Sequence, residues 1–371
     1  MNTPFNLLCK KQNPKDDRNP NFINQIFFNN RSRGLIPASW YSFLVGTTAI
    51  LSTTLGAWAT PIQLTNAKGK TIEVKLILIG EKSVDVEFHR KKITIQLDQL
   101  DEETREKLAP EKWALGYVEG VETLVPRPKD YPAAGKRIQI PMPELGTSIG
   151  GAEAQFTIEV GANVSPMRPV PLFIWFAQAS GADSDIRNRS SLLGEKAADF
   201  VCVFLPYPGS YKSSREYNQA ITDANNVKDL EKMHEAMLGR LTQMFPNLDP
   251  RLGIVGGFSN GAHTVSTHLA NKFKPLTNLC NCYILVEGGS NYKKSFPRYK
   301  NDSMLLVFGK HFREYGVSKY LEKEVKRAGF KNTWIDMPGV GHEFPEMYEK
   351  QVSKHITEVM IPRHLHADKK K

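Results

Sequence analysis

Between residues 60 and 108, apolar positions recur with a period of two. Ile72, Val74 and Leu76 alternate with polar residues, and so do Val84 and Val86. Turn-forming residues such as Gly, Lys and Asn separate these runs. The pattern predicts a small all-β, barrel-like module of three or four short strands that ends in a helical turn.

A different pattern covers residues 155–360. Continuous apolar runs alternate there with segments whose apolar residues fall on one helical stripe. Strands that are apolar on both faces are typical of a parallel sheet covered by helices, and such sheets bind ligands at the carboxyl ends of their strands. The predicted fold class is α/β, with a mostly parallel sheet and helices on both faces. The runs lie at residues 171–176, 200–205, 252–255, 282–286 and 304–308.

Residues 109–154 lie between the two patterns and hold six prolines. Proline withholds a backbone donor and interrupts periodicity, so this stretch predicts a linker with one lead-in strand at residues 137–140. Residues 361–371 are predicted to form a basic tail.

Residues 1–59 have the pattern of a targeting signal. A polar stretch with six Lys or Arg and two Asp is followed by an apolar run at residues 40–55 and by Ala57-Trp58-Ala59. This order is typical of a secretory signal peptide that is cleaved after Ala59. We expect an exported protein, periplasmic or extracellular. The alternative is an uncut segment that anchors the chain to a membrane.

Charge and cysteine content exclude several classes of function. The net charge is +10, but residues 1–59 and the tail supply most of it, and the remainder is too weak for a nucleic-acid surface. Export leaves Cys202, Cys280 and Cys282, which are predicted to be free thiols. Their number and spacing indicate no metal site, and no cofactor is expected.

A candidate nucleophile follows the apolar run at residues 252–255. The sequence GGFSNGA places Ser259 in a G-x-S-x-G motif between a predicted strand and a helix-compatible run. This is the context of a nucleophile elbow, a turn so tight that Gly257 and Gly261 must flank the serine. The elbow would direct the Ser259 hydroxyl toward a helix N-terminus, which favours developing negative charge.

A candidate base lies on a glycine-rich loop after the last predicted strand. His342 stands in the sequence PGVGHEFP, where a triad histidine follows its serine in chain order. A neutral imidazole there can take the serine proton and return it to the leaving group. The histidines His263, His364 and His366 are predicted to be structural or solvated.

Acyl transfer also needs two backbone N–H donors for the developing oxyanion. The Asn260 amide is one candidate, because Asn260 follows the serine. The loop after residues 171–176 supplies the other candidate, which is Ala177 or Gln178.

The two motifs GGFSNGA and PGVGHEFP resemble those of the α/β-hydrolase family, and in particular of secreted bacterial serine esterases, over roughly residues 155–360. The resemblance implies ester hydrolysis through an acyl-enzyme on Ser259. Two positions depart from it. Ala177-Gln178 stand where the family usually has His-Gly, and no Asp stands in the loop at residues 309–315.

The identity of the triad acid is therefore open. The family order requires a carboxylate between the serine and the histidine, just past a strand. Glu314 and Glu287 both meet this condition, and the sequence favours Glu314 slightly. The other candidates are placed less well, since Asp302 precedes its strand, Glu322 and Glu324 lie on a predicted helix, and Asp336 lies inside the last strand.

Residues 60–108 resemble a second family. The frame NAKGKTIEVKLILIGEKSVDVEF followed by ITIQLDQLDEETREKL is similar to the SLA homology domain of the first type. The resemblance implies a peptide or protein partner as a candidate ligand of this module.

The sequence leaves three functions open. The first is a secreted carboxylesterase that acts on a small or carbohydrate-linked ester. The second is a peptidase or lipase of the same fold, although the polar stretch at residues 210–226 does not resemble a lipase lid. The third is an inactive hydrolase scaffold that serves as a binding protein.

Overall fold

The structure is a computed structural model. It describes residues 61–118, 121–148, 151–178, 189–210, 221, 227–289, 295–311 and 315–365. The predicted signal peptide therefore lies outside the described residues. Among the described helices, none is both long and apolar enough to cross a membrane.

An eight-stranded sheet forms the larger part of the molecule, with the strand order β14-β13-β12-β11-β9-β10-β8-β7. Strands β9 to β14 pair in parallel, whereas β8 is antiparallel to both β7 and β10. The strands are β7 (Arg137–Pro141), β8 (Gln155–Val160), β9 (Val170–Phe176), β10 (Val201–Leu205), β11 (Leu248–Phe258), β12 (Cys282–Val286), β13 (Ser303–Gly309) and β14 (Lys331–Met337).

Helices connect these strands and cover both faces of the sheet. Alternate residues of one strand enter different cores: Val255 and Leu285 pack in one, while Ile254 and Ile284 pack in the other. Burial on both faces explains why these strands are continuous apolar runs. This mostly parallel sheet confirms the predicted fold class and fits an α/β-hydrolase fold. The helices are α2 (Lys228–Met244), α3 (Asn260–Asn271), α4 (Lys274–Thr277), α5 (Tyr315–Ala328), α6 (Glu346–His355) and α7 (Ile361–Leu365).

A smaller antiparallel sheet precedes the large one, in the order β1-β2-β3-β4. Val84 and Val86 are completely buried in its core. Thr104 on the short helix that follows is also buried, and the Asp101 side chain caps that helix by accepting the Thr104 N–H at 2.8 Å. The elements are β1 (Ile62–Thr65), β2 (Thr71–Ile79), β3 (Ser83–Phe88), β4 (Lys91–Gln96) and α1 (Glu102–Lys107).

The stretch predicted to be a linker is folded instead. Strands β5 (Trp113–Val118) and β6 (Val121–Pro126) pair as a hairpin, and Trp113 and Leu124 join the core of the small sheet. Farther along, Tyr131 and Met142 are buried in the core of the large domain.

The prolines are compatible with this fold because they occupy positions that strands tolerate. Pro126 and Pro141 are the last residues of β6 and β7, and β7 is an edge strand. The predicted basic tail also begins within the fold, because Ile361 is buried and starts α7. Residues 366–371 lie outside the described residues.

Candidate active site

The turn between β11 and α3 carries Ser259. Its φ of 54° is positive, and its N–H donates to the Val286 carbonyl at 2.9 Å. A Cβ on Gly257 would lie 2.5 Å from the Gly261 carbonyl oxygen and 2.6 Å from the Ala262 nitrogen. A side chain at Gly257 would therefore collide with the start of α3. The positive φ of the serine and the close approach are the geometry that the sequence motif predicts for a nucleophile elbow.

His342 lies directly beside this serine. Its Nε2 atom is 2.8 Å from Ser259 Oγ, a normal hydrogen-bond length. The imidazole also stacks on the Phe258 ring, with the centroids 5.1 Å apart and the planes 29° apart. The His342 side chain remains 42% exposed, so a substrate or water can approach it.

The loop that carries His342 is held by main-chain hydrogen bonds. Gly339 turns the chain after β14 with a φ of 75°. Val340 donates to Met337 at 3.2 Å, and the N–H of His311, just past β13, donates to the Val340 carbonyl at 2.9 Å. These bonds bring the loop to the carboxyl end of β13.

A buried carboxylate lies behind the histidine. Glu287 directly follows β12, its φ is 51°, and its side chain is completely buried. Its Oε1 accepts the Gly309 N–H, and its Oε2 lies 3.9 Å from His342 Nδ1. This separation exceeds a hydrogen bond by about 1 Å, a gap that catalytic sites commonly close when substrate binds.

Gly309 lets the loop and the carboxylate come together. A Cβ there would lie 2.5 Å from the carbonyl oxygens of Gly341 and Val340 and 2.8 Å from Glu287 Oε1. The end of β13 can therefore hold only a glycine while the His342 loop keeps its place.

The other candidate acids are placed differently. Glu314, which the sequence favours slightly, lies outside the described residues. Asp336 accepts from Tyr315 and Trp334, and Asp302 lies 3.4 Å from the Tyr283 hydroxyl. Glu322 and Glu324 lie on α5 and pair with Lys326 and Arg327. Among the described carboxylates, Glu287 is therefore the one placed behind His342.

The two oxyanion candidates in the loop after β9 are not equivalent. The Ala177 N–H donates to the Leu205 carbonyl at 3.1 Å, so it is already engaged. No hydrogen bond of the Gln178 amide is found within the described part of the chain. A Cβ on Gly261 would lie 2.7 Å from the Phe176 carbonyl oxygen, so this loop lies against the first turn of α3. Of the two candidates in this loop, the described hydrogen bonds thus engage Ala177 alone.

Two of the three histidines predicted to be structural or solvated have structural contacts. His263 is buried, and its Nδ1 accepts the Gly289 N–H at 3.2 Å. His364 Nε2 is 3.0 Å from Ser303 Oγ, and burial lowers the pKa of His364 to about 4. His366 lies outside the described residues.

Two groups near the site are not predicted from the sequence. Arg189 forms an ion pair with Glu349 on α6, and its guanidinium lies 5.3 Å from the Phe344 ring centroid. The histidines His234 and His268 are completely buried against each other, with Nδ1 of the former 2.9 Å from Nε2 of the latter. His234 falls on the apolar stripe of α2, which was the one signal in the sequence that its polar ring lies inside.

Within the described residues, no group of three His, Cys, Asp or Glu side chains could hold a metal ion. Cys202, Cys280 and Cys282 are free and buried, and burial raises the pKa of each thiol. Thiols of this kind are poor nucleophiles. The Ser259 hydroxyl, by contrast, lies at hydrogen-bond distance from His342 Nε2.

Searches of protein-family models and of curated proteins find no match. Several solved structures are similar. Esterase 2 of Thermogutta terrifontis, phosphorylated by paraoxon, is 13% identical with a TM-score of 0.44, over 64% of this chain and 97% of that chain. YahD with malic acid is 11% identical with a TM-score of 0.42, over 55% and 98%. The Bacillus cereus carboxylesterase is 12% identical with a TM-score of 0.39, over 55% and 93%.

Proposed function

We propose that this chain is a serine hydrolase that cleaves carboxylic esters through an acyl-enzyme on Ser259. One observation supports this above the others: Ser259 Oγ lies 2.8 Å from His342 Nε2 on a nucleophile elbow, with the buried Glu287 carboxylate behind the ring. Nucleophile, acid and base follow each other along the chain in the order that this fold uses.

In the proposed reaction, His342 Nε2 takes the hydroxyl proton while Ser259 Oγ attacks the ester carbonyl. The amides of Asn260 and Gln178 donate to the oxyanion of the tetrahedral intermediate. The intermediate collapses, and the alcohol leaves with the proton from His342. Water then attacks the acyl-enzyme in the same way and releases the acid, while Glu287 stabilises the imidazolium that forms in each half of the cycle.

The proposed substrate is a small or carbohydrate-linked ester rather than a long-chain lipid. The exposed edge of His342 supports access by a soluble substrate. The polar composition of residues 210–226 supports the same choice, because lipases cover their sites with apolar lids.

The proposal also includes export, which rests on the pattern of residues 1–59. A peptide or protein partner for the small four-stranded sheet stays a prediction that rests on its resemblance to the SLA homology domain.

The test is hydrolysis of a panel of nitrophenyl esters and acetylated sugars by the wild-type protein, by Ser259→Ala and by Ser266→Ala. Ser266 is a matched control, because it lies on α3 and its buried hydroxyl meets no partner among the described residues. We expect Ser259→Ala to abolish turnover and Ser266→Ala to retain it. If the wild-type protein hydrolysed none of these esters, the result would favour the inactive scaffold instead.

A further inference from the structure

The peptide unit that joins Ala177 to Gln178 is fixed at its carbonyl end by a buried tyrosine. The Ala177 carbonyl accepts a hydrogen bond from the Tyr207 hydroxyl, and Tyr207 is completely buried. The Ala177 N–H is held in turn by the Leu205 carbonyl at 3.1 Å. Both polar groups of Ala177 are therefore bonded to the end of β10 and the residues directly after it.

This arrangement determines where the Gln178 amide points. A trans peptide is planar, and its C=O and N–H are directed oppositely. Because the Ala177 carbonyl points at the Tyr207 hydroxyl, the Gln178 N–H points away from the buried ring. The Gln178 N–H is also the remaining candidate for the second oxyanion donor, because the Ala177 N–H is engaged.

Tyr207 is itself held by a chain of buried polar contacts. The preceding residue, Pro206, has its carbonyl 2.9 Å from His234 Nε2. A carbonyl can only accept, so His234 Nε2 carries the proton and His234 Nδ1 accepts from His268 Nε2 at 2.9 Å. His268 lies on α3, the helix that begins directly after Ser259. The chain thus connects the elbow helix with the segment that positions the oxyanion loop.

The aromatic contacts around this chain keep water away from it. The Phe176 ring centroid is 4.8 Å from that of His234 and 5.6 Å from that of His268, and Phe273 stacks on His268 at 4.4 Å. Burial lowers the pKa of His234 to about 4 and the pKa of His268 well below its usual value. Both rings therefore stay neutral near pH 7, and the direction of each hydrogen bond is kept.

We infer that Tyr207 is a positioning residue of the oxyanion hole: its hydroxyl orients the Ala177–Gln178 peptide so that the Gln178 N–H is directed at the oxyanion, and the His234–His268 pair holds Tyr207 in place. The inference rests on the proposed function. Tyr207 does not touch substrate, and it acts through the amide of Gln178. Its bond to the carbonyl also polarises the peptide, which strengthens the N–H as a donor.

The test compares Tyr207→Phe with Tyr283→Phe. Tyr283 is a matched control, because it is also completely buried and its hydroxyl also donates to a main-chain carbonyl, that of Cys280, at 2.7 Å. Tyr283 lies on β12 near its amino end, at the edge of the sheet opposite Ser259. Both substitutions remove one hydroxyl from a buried carbonyl, and Tyr283→Phe also removes the 3.4 Å contact with Asp302, so it should cost at least as much stability as Tyr207→Phe.

Only Tyr207→Phe should impair catalysis. We expect kcat to fall about tenfold to a hundredfold, which is less than the loss of an entire oxyanion donor, while KM changes by less than about twofold. Affinity for a trifluoromethyl ketone, whose adduct with serine carries an oxyanion, should fall by the same factor as kcat. Equal kcat values for Tyr207→Phe and Tyr283→Phe would overturn the inference.

A second measurement does not depend on ester turnover. In protein labelled with 15N-glutamine, the main-chain amide resonance of Gln178, identified by its loss in Gln178→Asn, should shift in Tyr207→Phe and stay in place in Tyr283→Phe. An unshifted resonance would refute the positioning role even in an inactive protein. A shifted resonance in a protein that hydrolyses no ester would refute the proposed function and retain the Tyr207 contact.

Discussion

The Glu287 carboxylate lies 3.9 Å from Nδ1 of His342, on the side of the ring opposite the serine. A carboxylate there can fix the histidine tautomer and stabilise the imidazolium. We therefore predict that Glu287→Gln lowers kcat by about a hundredfold or more, as neutralising a triad acid does. Steady-state kinetics on a nitrophenyl ester measures the effect.

Glu314→Gln is the comparison for this substitution, because the sequence alone favours Glu314 slightly. We expect it to leave kcat within about threefold of wild type, because a triad needs one acid and Glu287 already lies behind His342. If Glu314→Gln were the damaging substitution, the acid would be misassigned and the Ser259–His342 pair would stand.

Gly309 offers a steric test of the same arrangement. Gly309→Ala places a Cβ 2.5 Å from two carbonyl oxygens of the His342 loop, so the loop must move away from Glu287. We predict a fall in kcat of about a hundredfold, which is the order of effect that a displacement of 1 Å produces. Gly316→Ala on α5 is the control, because its Cβ would meet nothing within 4 Å. Equal activity of the two variants would mean that the loop adapts without cost.

Arg189 anchors the His342 loop from outside. Its guanidinium pairs with Glu349, and it lies 5.3 Å from the Phe344 ring and 5.9 Å from the Trp175 ring. We predict that Arg189→Met lowers kcat about tenfold with little change in KM, because the loop loses its register while the pocket remains. Kinetics on one ester at several concentrations separates the two constants.

The matched control for Arg189→Met is Lys350→Met, because Lys350 lies on α6. Lys350 pairs with Glu346, and both side chains are at least 75% exposed, so this ion pair contributes little to stability. An equal loss of kcat in Lys350→Met would show that α6 responds to any charge change rather than to the Arg189 contact.

The buried histidine pair predicts how stability depends on pH. Burial lowers the pKa of His234 from 6.5 to about 4, so between these values the unfolded chain binds a proton that the folded chain does not. Between these two pH values the free energy of unfolding therefore rises with pH. The stability that the neutral buried ring contributes is lost as the pH falls below about 6.5. His234 and His268 contribute in the same direction, because burial lowers the pKa of each.

Asp302 has the opposite effect on the pH dependence of stability. Burial raises its pKa from 3.8 to about 6, so the folded chain holds the extra proton in this interval. We predict that urea midpoints fall from pH 7 to pH 5, and that the fall is steeper in Asp302→Asn because the compensation is lost. A midpoint that stays level between pH 7 and pH 5 in both proteins would contradict the assignment of two neutral buried histidines.

The sequence was sufficient for the fold class and the Ser259–His342 pair because these depend on local pattern. Strands buried on both faces have to be apolar, and the elbow requires glycine at fixed distances from the serine. The folded hairpin of Trp113 and Leu124 could not be predicted, because proline at a strand end looks the same in sequence as proline in a linker. The contacts of Glu287 and Tyr207 depend on which strand ends meet, and only the register of the sheet determines that.

The most direct test of the account is to map the adduct of a fluorophosphonate probe by mass spectrometry. The account predicts one phosphonyl group on Ser259 in the wild-type protein, much slower labelling in His342→Asn, and none in Ser259→Ala. An unlabelled wild-type protein, or an adduct that persists on another residue in Ser259→Ala, would contradict the assignment of Ser259 as the nucleophile.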